Sequence, residues 1–157
     1  MILLLINVRT CVLLPTMFIL AARKNQDNKN AGEVSAYIRK HGGWYEATKY
    51  AAYKHNDEMA VAIMRQHPSG MLDVAVNERC VARVATINAD KLGLSFNEML
   101  AQIVDKKKWE SLMGILEALG DDWNAHCRVL RQAHRRARRN PCMEEKIRNY
   151  MIEHNFS

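Results

Sequence analysis

Apolar and polar positions along residues 33–120 recur at the three-to-four spacing of helices, in short runs punctuated by Gly, Asn, Asp and Pro. EVSAYIRKH (33–41) ends at Gly42-Gly43, where glycine can close a helix in the left-handed conformation. WYEATKYAAYKH follows and is closed by Asn56-Asp57; EMAVAIMRQ then runs to His67-Pro68-Ser69-Gly70. Residues 71–87 predict one longer helix with Val74, Val81, Val84 and Ile87 along its apolar stripe, broken after Ile87 by the stretch from Asn88 to Gly93. Ser95 is the expected N-cap of FNEMLAQIV, and Glu98 completes a capping box. Lys106 to Lys108 mark a solvated turn before WESLMGILEAL, which stops at Gly120. Asp121 or Asp122 can start a helix that continues through Arg139 and stops before Asn140-Pro141. From Met143 a short amphipathic helix places Ile147, Tyr150 and Met151 together.

Helices this short are marginal alone in water, so each must bury its stripe on a neighbour. The expected fold class is therefore all-α, with short antiparallel helix pairs stacked as an α-solenoid; a compact helical bundle is the alternative. Three prolines and seven glycines are too few for the turns of a β-sandwich or barrel. Shifting the chain by 52 residues sets Trp44–His67 beside Phe96–Leu119 without a gap, pairing Glu46 with Glu98, Ala60 with Leu112, Val61 with Met113 and Ile63 with Ile115. A shift of 65 competes by pairing Trp44 with Trp109 and Glu33 with Glu98. Under either shift the expectation is an α-solenoid, in which each pair buries its stripe by stacking on neighbours.

One pattern extends beyond periodicity. Trp44-x-Glu46 is followed by Ala60, Met64 and His67-Pro68, with Asn30 and Val34 before and Arg83, Val84, Ala85 and Phe96 after. At these positions residues 30–96 resemble the helical repeat of the clathrin heavy chain and its relatives among vesicle-coat and vacuolar-sorting scaffolds. Beyond Phe96, Asn97-Glu98-Met99-Leu100 is similar to the family's Asn-Asp-Leu-Leu. The likeness covers under half the chain, and the apolar amino terminus and the arginine-rich segment have no counterpart in it. It implies a non-enzymatic scaffold in vesicle coats and intracellular transport, cytoplasmic or associated with coated-vesicle membranes. Its partners would be other protein chains, met through helix faces, and it carries over no catalytic residue and no cofactor.

Charge adds a separate signal. The chain carries 23 Lys+Arg against 17 Asp+Glu, a net of +6. Six of the arginines lie in RVLRQAHRRARR, residues 128–139, which contains no acid; without them 23 − 6 leaves 17 basic side chains against 17 acidic ones. Arg128, Arg131, Arg135 and Arg138 recur at intervals of three and four, while Val129, Leu130, Ala133 and Ala137 form a thin apolar side. Arginine clamps phosphate bidentately, so Arg128, Arg131, Arg135, Arg136, Arg138 and Arg139 are candidates for binding RNA, DNA or anionic lipid headgroups. That makes a small basic nucleic-acid-binding protein the rival to the scaffold. The plainer reading is a solvated helix, or one that meets an acidic patch on a partner.

The remaining chemistry is thin. No phosphate loop, dinucleotide fingerprint, nucleophile elbow or HExxH motif occurs, and no enzyme is expected. His126, Cys127, His134 and Cys142 invite a metal reading, but their spacing fits no zinc knuckle and Arg131, Arg135 and Arg136 would repel a dication, so no metal ligand is assigned. His41, His55 and His67 fall at helix ends, Cys80 reads as a small core residue, and the pairs Asp57-Glu58 and Asp121-Asp122 suit helix starts better than acid catalysis. Cys11, Cys80, Cys127 and Cys142 form no Cys-x-x-Cys and point to a reducing compartment. Residues 2–22 are the most apolar stretch, interrupted by Arg9 and Pro15 and ended by Arg23-Lys24; a signal or membrane anchor, a buried local helix, and a segment foreign to the domain all remain open. Composition thus divides the chain into 1–29, an apolar segment and linker; 30–120, a helical-repeat domain; and 121–157, an arginine-rich helix and a last helix.

Overall fold

Local signals at the helix ends account for most of the chain's punctuation. The computed structural model describes residues 31–156, and the apolar stretch 2–22 with its anchor and signal readings lies outside them. Residues 31–40 belong to α1, which ends at Gly42 and Gly43, both with positive φ (81° and 123°). The following helices are α2 (Trp44–Tyr53), α3 (Asp57–Gln66), α4 (Pro68–Asn77), α5 (Arg79–Ile87), α6 (Ala89–Leu92), α7 (Phe96–Asp105), α8 (Trp109–Ala118), α9 (Trp123–Arg136) and α10 (Pro141–Glu153), with a 3₁₀ turn at Ala137–Arg139. No strand occurs among the described residues, and the fold is all-α. Side chains cap α3, α7 and α9: Asn56, Ser95 and Asp122 accept the backbone N–H of Met59, Glu98 and Ala125 at 3.4, 3.3 and 3.0 Å.

The single helix expected over 71–87 is two. His67 closes α3 and Pro68 opens α4 as its first residue, where a missing N–H costs nothing. Glu78 then adopts an extended conformation (φ −120°, ψ 121°) and separates α4 from α5. Its carboxylate is fixed from α2, accepting the Tyr45 hydroxyl at 3.1 Å and lying 3.7 Å from the Lys49 ammonium. The break redirects α5 between α2 and α8, and it leaves Ile87 exposed rather than on a buried stripe.

From Ile38 onward the chain forms one compact unit. Its main contacts run in series. α2 pairs with α3, α4 with α5, α7 with α8 and α9 with α10; α5 then packs on α2 and α8, α4 on α7, and α7 on α9. Two of these pairs are copies of one pattern. Adding 52 to the limits of α2 and α3 gives the limits of α7 and α8, from Trp44 to Phe96, Tyr53 to Asp105, Asp57 to Trp109 and Gln66 to Ala118. The connecting turns match too: His55 and Lys107 both have φ 56°. The faces turned inward also correspond, Ala47, Thr48, Ala51 and Ala52 in α2 against Met99, Leu100, Ile103 and Val104 in α7. The shift of 52 matches both helices of this pair, whereas the shift of 65 matches α2 to α8 but does not carry α3 onto the limits of α9.

Polar side chains knit the series internally. The Arg83 guanidinium, 8% exposed, donates to both carboxylate oxygens of Asp57 (3.0 and 2.7 Å) and to the Ala52 carbonyl (3.2 Å), tying α5 to α2 and α3. The Ser111 hydroxyl donates to the Val76 carbonyl at 2.6 Å, joining α8 to α4. Gly114 lets α8 approach the Arg79 backbone of α5 so closely that a Cβ there would strike the Arg79 carbonyl oxygen.

Candidate functional site

α9 begins because the Asp122 carboxylate satisfies the Ala125 N–H, and it runs without an acid until Glu144 in α10. Its apolar residues Ala125, Val129, Leu130 and Ala133 are buried, and Ala137 continues them into the 3₁₀ turn. Arg128, Arg131 and Arg135 are exposed and lie within an arc of about 60° on the opposite side. Arg138 and Arg139 are exposed in the tightened last turn, so the helical stripe expected through Arg139 ends as α-helix at Arg136 and is completed by 3₁₀ geometry.

Flanking contacts fix which arginines stay available. Arg136 makes a two-pronged pair with Asp105 on α7, at 3.0 and 2.6 Å. The hydrogen bonds of that pair hold the Asp105 carboxyl below its ordinary range and raise Arg136 further. Gln132 donates to Asn97 at 2.9 Å, again onto α7, and on the other flank His134 lies 2.9 Å from the Glu144 carboxylate, which Arg148 also meets. Among the described residues Arg128, Arg131, Arg135, Arg138 and Arg139 make no ion pair. They border two concavities. One, of about 580 Å³, is bounded by Arg128, Arg131, Gln132, His134, Arg135 and Met151. The other, of about 480 Å³, is bounded by Arg135, Arg136, Arg138 and Arg139 with Asp105. Arg128 also borders a depression shared with Asp90, though no ion pair joins them.

Two contributions here were not visible in the spacing of the arginines. The packing of α7 on α9, with the Asp105–Arg136 pair, brings the turn that begins at Lys106 beside the arginine turn, and Lys106 and Lys107 are exposed. An aromatic cluster also forms at the other end of α9. Phe156, 5% exposed, stacks on Trp123 at 4.1 Å and on His126 at 5.6 Å, while Tyr150 stacks on His154 and meets Trp109 edge-on. These rings are far apart in sequence, and only the return of α10 along α9 assembles them.

The repeat-like residues gather at another place. The Trp44 indole stacks on the His67 ring at the α3–α4 joint, with centroids 5.2 Å apart and planes 17° apart. It lies against Gly70, where any Cβ would collide with it. Ala60 and Met64 are fully buried in α3, whereas Glu46 in the first turn of α2 and Pro68 are exposed. Cys80 is half-buried, and burial raises its thiol above the ordinary range. Among the described residues no group of three or more His, Cys, Asp or Glu side chains is placed to hold a metal ion, and no helix is long and apolar enough to cross a membrane. Comparison of the chain with protein-family models, curated proteins and solved structures gives no significant match.

Proposed function

We propose that this protein is a non-enzymatic helical-repeat scaffold of the α-solenoid kind, resembling a clathrin heavy-chain segment and acting through protein association in vesicle coats and intracellular transport. The observation that carries this reading is the serial packing of helix pairs together with the 52-residue correspondence of α2–α3 and α7–α8. Pairs that bury their stripes on the pairs before and after them build a body by repetition, with helix faces and edges left for partners. The stacking of Trp44 on His67 supports the clathrin-like part, since two of the residues that carry the resemblance meet at one joint. Partners of such a body are other protein chains, and its place is the cytoplasmic side of coated-vesicle membranes. The test is density-gradient fractionation of cells expressing the full chain. Co-fractionation with coated vesicles, reduced in the joint variant Trp44→Ala, is the expected result. A distribution that ignores the vesicle fraction would discard the transport reading.

A further inference from the structure

We propose that the surface formed by Arg128, Arg131, Arg135, Arg138 and Arg139, extended by Lys106 and Lys107, is a binding site for the sugar–phosphate backbone of nucleic acid. This goes beyond the scaffold reading, because the helical body supports the surface whatever else it contacts. Four observations converge on it.

The first is charge that, apart from Arg136, forms no ion pair among the described residues. Outside residues 128–139 the basic and acidic side chains balance at 17 each, so the whole net charge of +6 belongs to this segment. Of the nearby acids, Asp105 is paired with Arg136 and Glu144 with His134 and Arg148, while Asp90 borders the depression at Arg128 without forming an ion pair. The second is identity. All six basic residues of the segment are arginines, whose planar forks match phosphate oxygens bidentately where lysine offers a point charge.

The third is dimension. Arg128 to Arg138 spans roughly 15 Å along the helix axis, which matches about four or five phosphates at about 3.4 Å per phosphate of one strand. The two arginine-bordered concavities follow one another along that line and share Arg135. The fourth sets nucleic acid above a membrane. A lipid surface is held by basic residues together with apolar side chains that insert between headgroups. Among the described residues the large exposed apolar side chains Tyr50, Tyr53, Trp123 and Ile152 border none of the arginine-lined depressions; Ile87 borders only the one at Arg128, and Met151 is the single apolar residue of the larger concavity. The contacts available are to backbone phosphate, so binding is insensitive to base sequence.

Asp105 restrains this surface: its pair with Arg136 withdraws one guanidinium from solvent ligands, while the Gln132–Asn97 hydrogen bond and the packing of α7 on α9 keep the lysine turn beside the arginine turn without it.

The experiment is fluorescence anisotropy of the full chain with labelled single-stranded RNA and duplex DNA of arbitrary sequence, over roughly 50 to 200 mM salt. Five free guanidiniums and two lysines predict a slope of log affinity against log salt of about −6 on duplex DNA, and a shallower one on single strands. In the triple variant Arg128→Gln, Arg131→Gln, Arg135→Gln the slope should lose about three in magnitude. Asp105→Asn releases Arg136 and should do the reverse, steepening the slope by about one and tightening binding severalfold. That gain is something loss of a merely structural pair would not produce. Absence of binding at the lowest salt, an unchanged slope in a triple variant that still melts cooperatively, or no gain in Asp105→Asn would overturn the proposal. Binding to phosphatidylserine vesicles in preference to both nucleic acids would overturn it equally.

Discussion

At the scale of single residues, the approach of α8 to α5 is set by a side chain that is absent. Gly114 stands inside α8, where alanine would favour the helix by about 1 kcal/mol. Against that gain, a Cβ would press on the Arg79 carbonyl oxygen and lie 3.1 Å from the carbonyl carbon and 3.2 Å from Arg79 Cγ. The obstruction is backbone and cannot rotate away, so α8 must lift from α5. Gly114→Ala is therefore expected to lower stability by about 1 to 3 kcal/mol, the usual cost of overpacking, as read from the urea midpoint at constant m. A neutral or stabilising result would mean that the α5–α8 contact yields freely. Tyr45 shows the same contact economy in its titration: burial first, and then the Glu78 carboxylate it donates to, push its hydroxyl up to about 12. A proton that stays on Tyr45 keeps Glu78 tethered, and the tether holds the bend between α4 and α5.

At the scale of elements, local caps decide where α9 begins, and its start sets the phase of the arginine stripe. Asp122→Ala removes the acceptor of the Ala125 N–H and should cost about 1 kcal/mol, whereas Asp122→Asn keeps a comparable acceptor and should cost little. Equal losses in the two variants by urea titration would assign the effect to charge rather than to the hydrogen bond. Caps of this kind made much of the fold legible in the sequence: Ser95, Asp122, Gly42-Gly43, Gly93 and Gly120 all stand at the breaks their chemistry predicts. The bend at Glu78 was not read from the sequence, because Asn77 is the one break signal beside it, with no Gly or Pro; what holds Glu78 is a hydrogen bond from Tyr45, 33 residues away. The exposure of Ile87 follows from that bend. The 52-residue period was ambiguous for a related reason. α2 fills its inward positions with Ala and Thr and α7 with Met, Leu, Ile and Val, so the register is shared while the residues are not. For the candidate surface, the arginine spacing was plain, but the lysines come beside it through the packing of α7 on α9, where Arg136 meets Asp105 across 31 residues.

At the scale of the whole molecule, one residue type is used in two opposed ways. Arg83 is buried and belongs to the body: it donates to Asp57 and to the Ala52 carbonyl, and the Asp57 hydrogen bonds raise its already high pKa. Arg83→Gln would leave Asp57 without its partner, while the Ala52 carbonyl keeps the His55 N–H as donor. Asp57 is 34% exposed, so water recovers part of the loss, and about 3 kcal/mol is expected, at the low end of the cost of breaking a buried pair. Arg128, Arg131 and Arg135 are exposed and unpaired, and they repel one another at spacings of three and four. Replacing all three with Gln should change stability by no more than about 0.5 kcal/mol, with a small gain from relieved repulsion. The two variants can be compared in parallel urea titrations. If the triple variant fell as far as Arg83→Gln, the arginine face would be part of what holds the helices together. If instead it keeps full stability, three of the six charges behind the +6 are carried by residues the body does not need for folding.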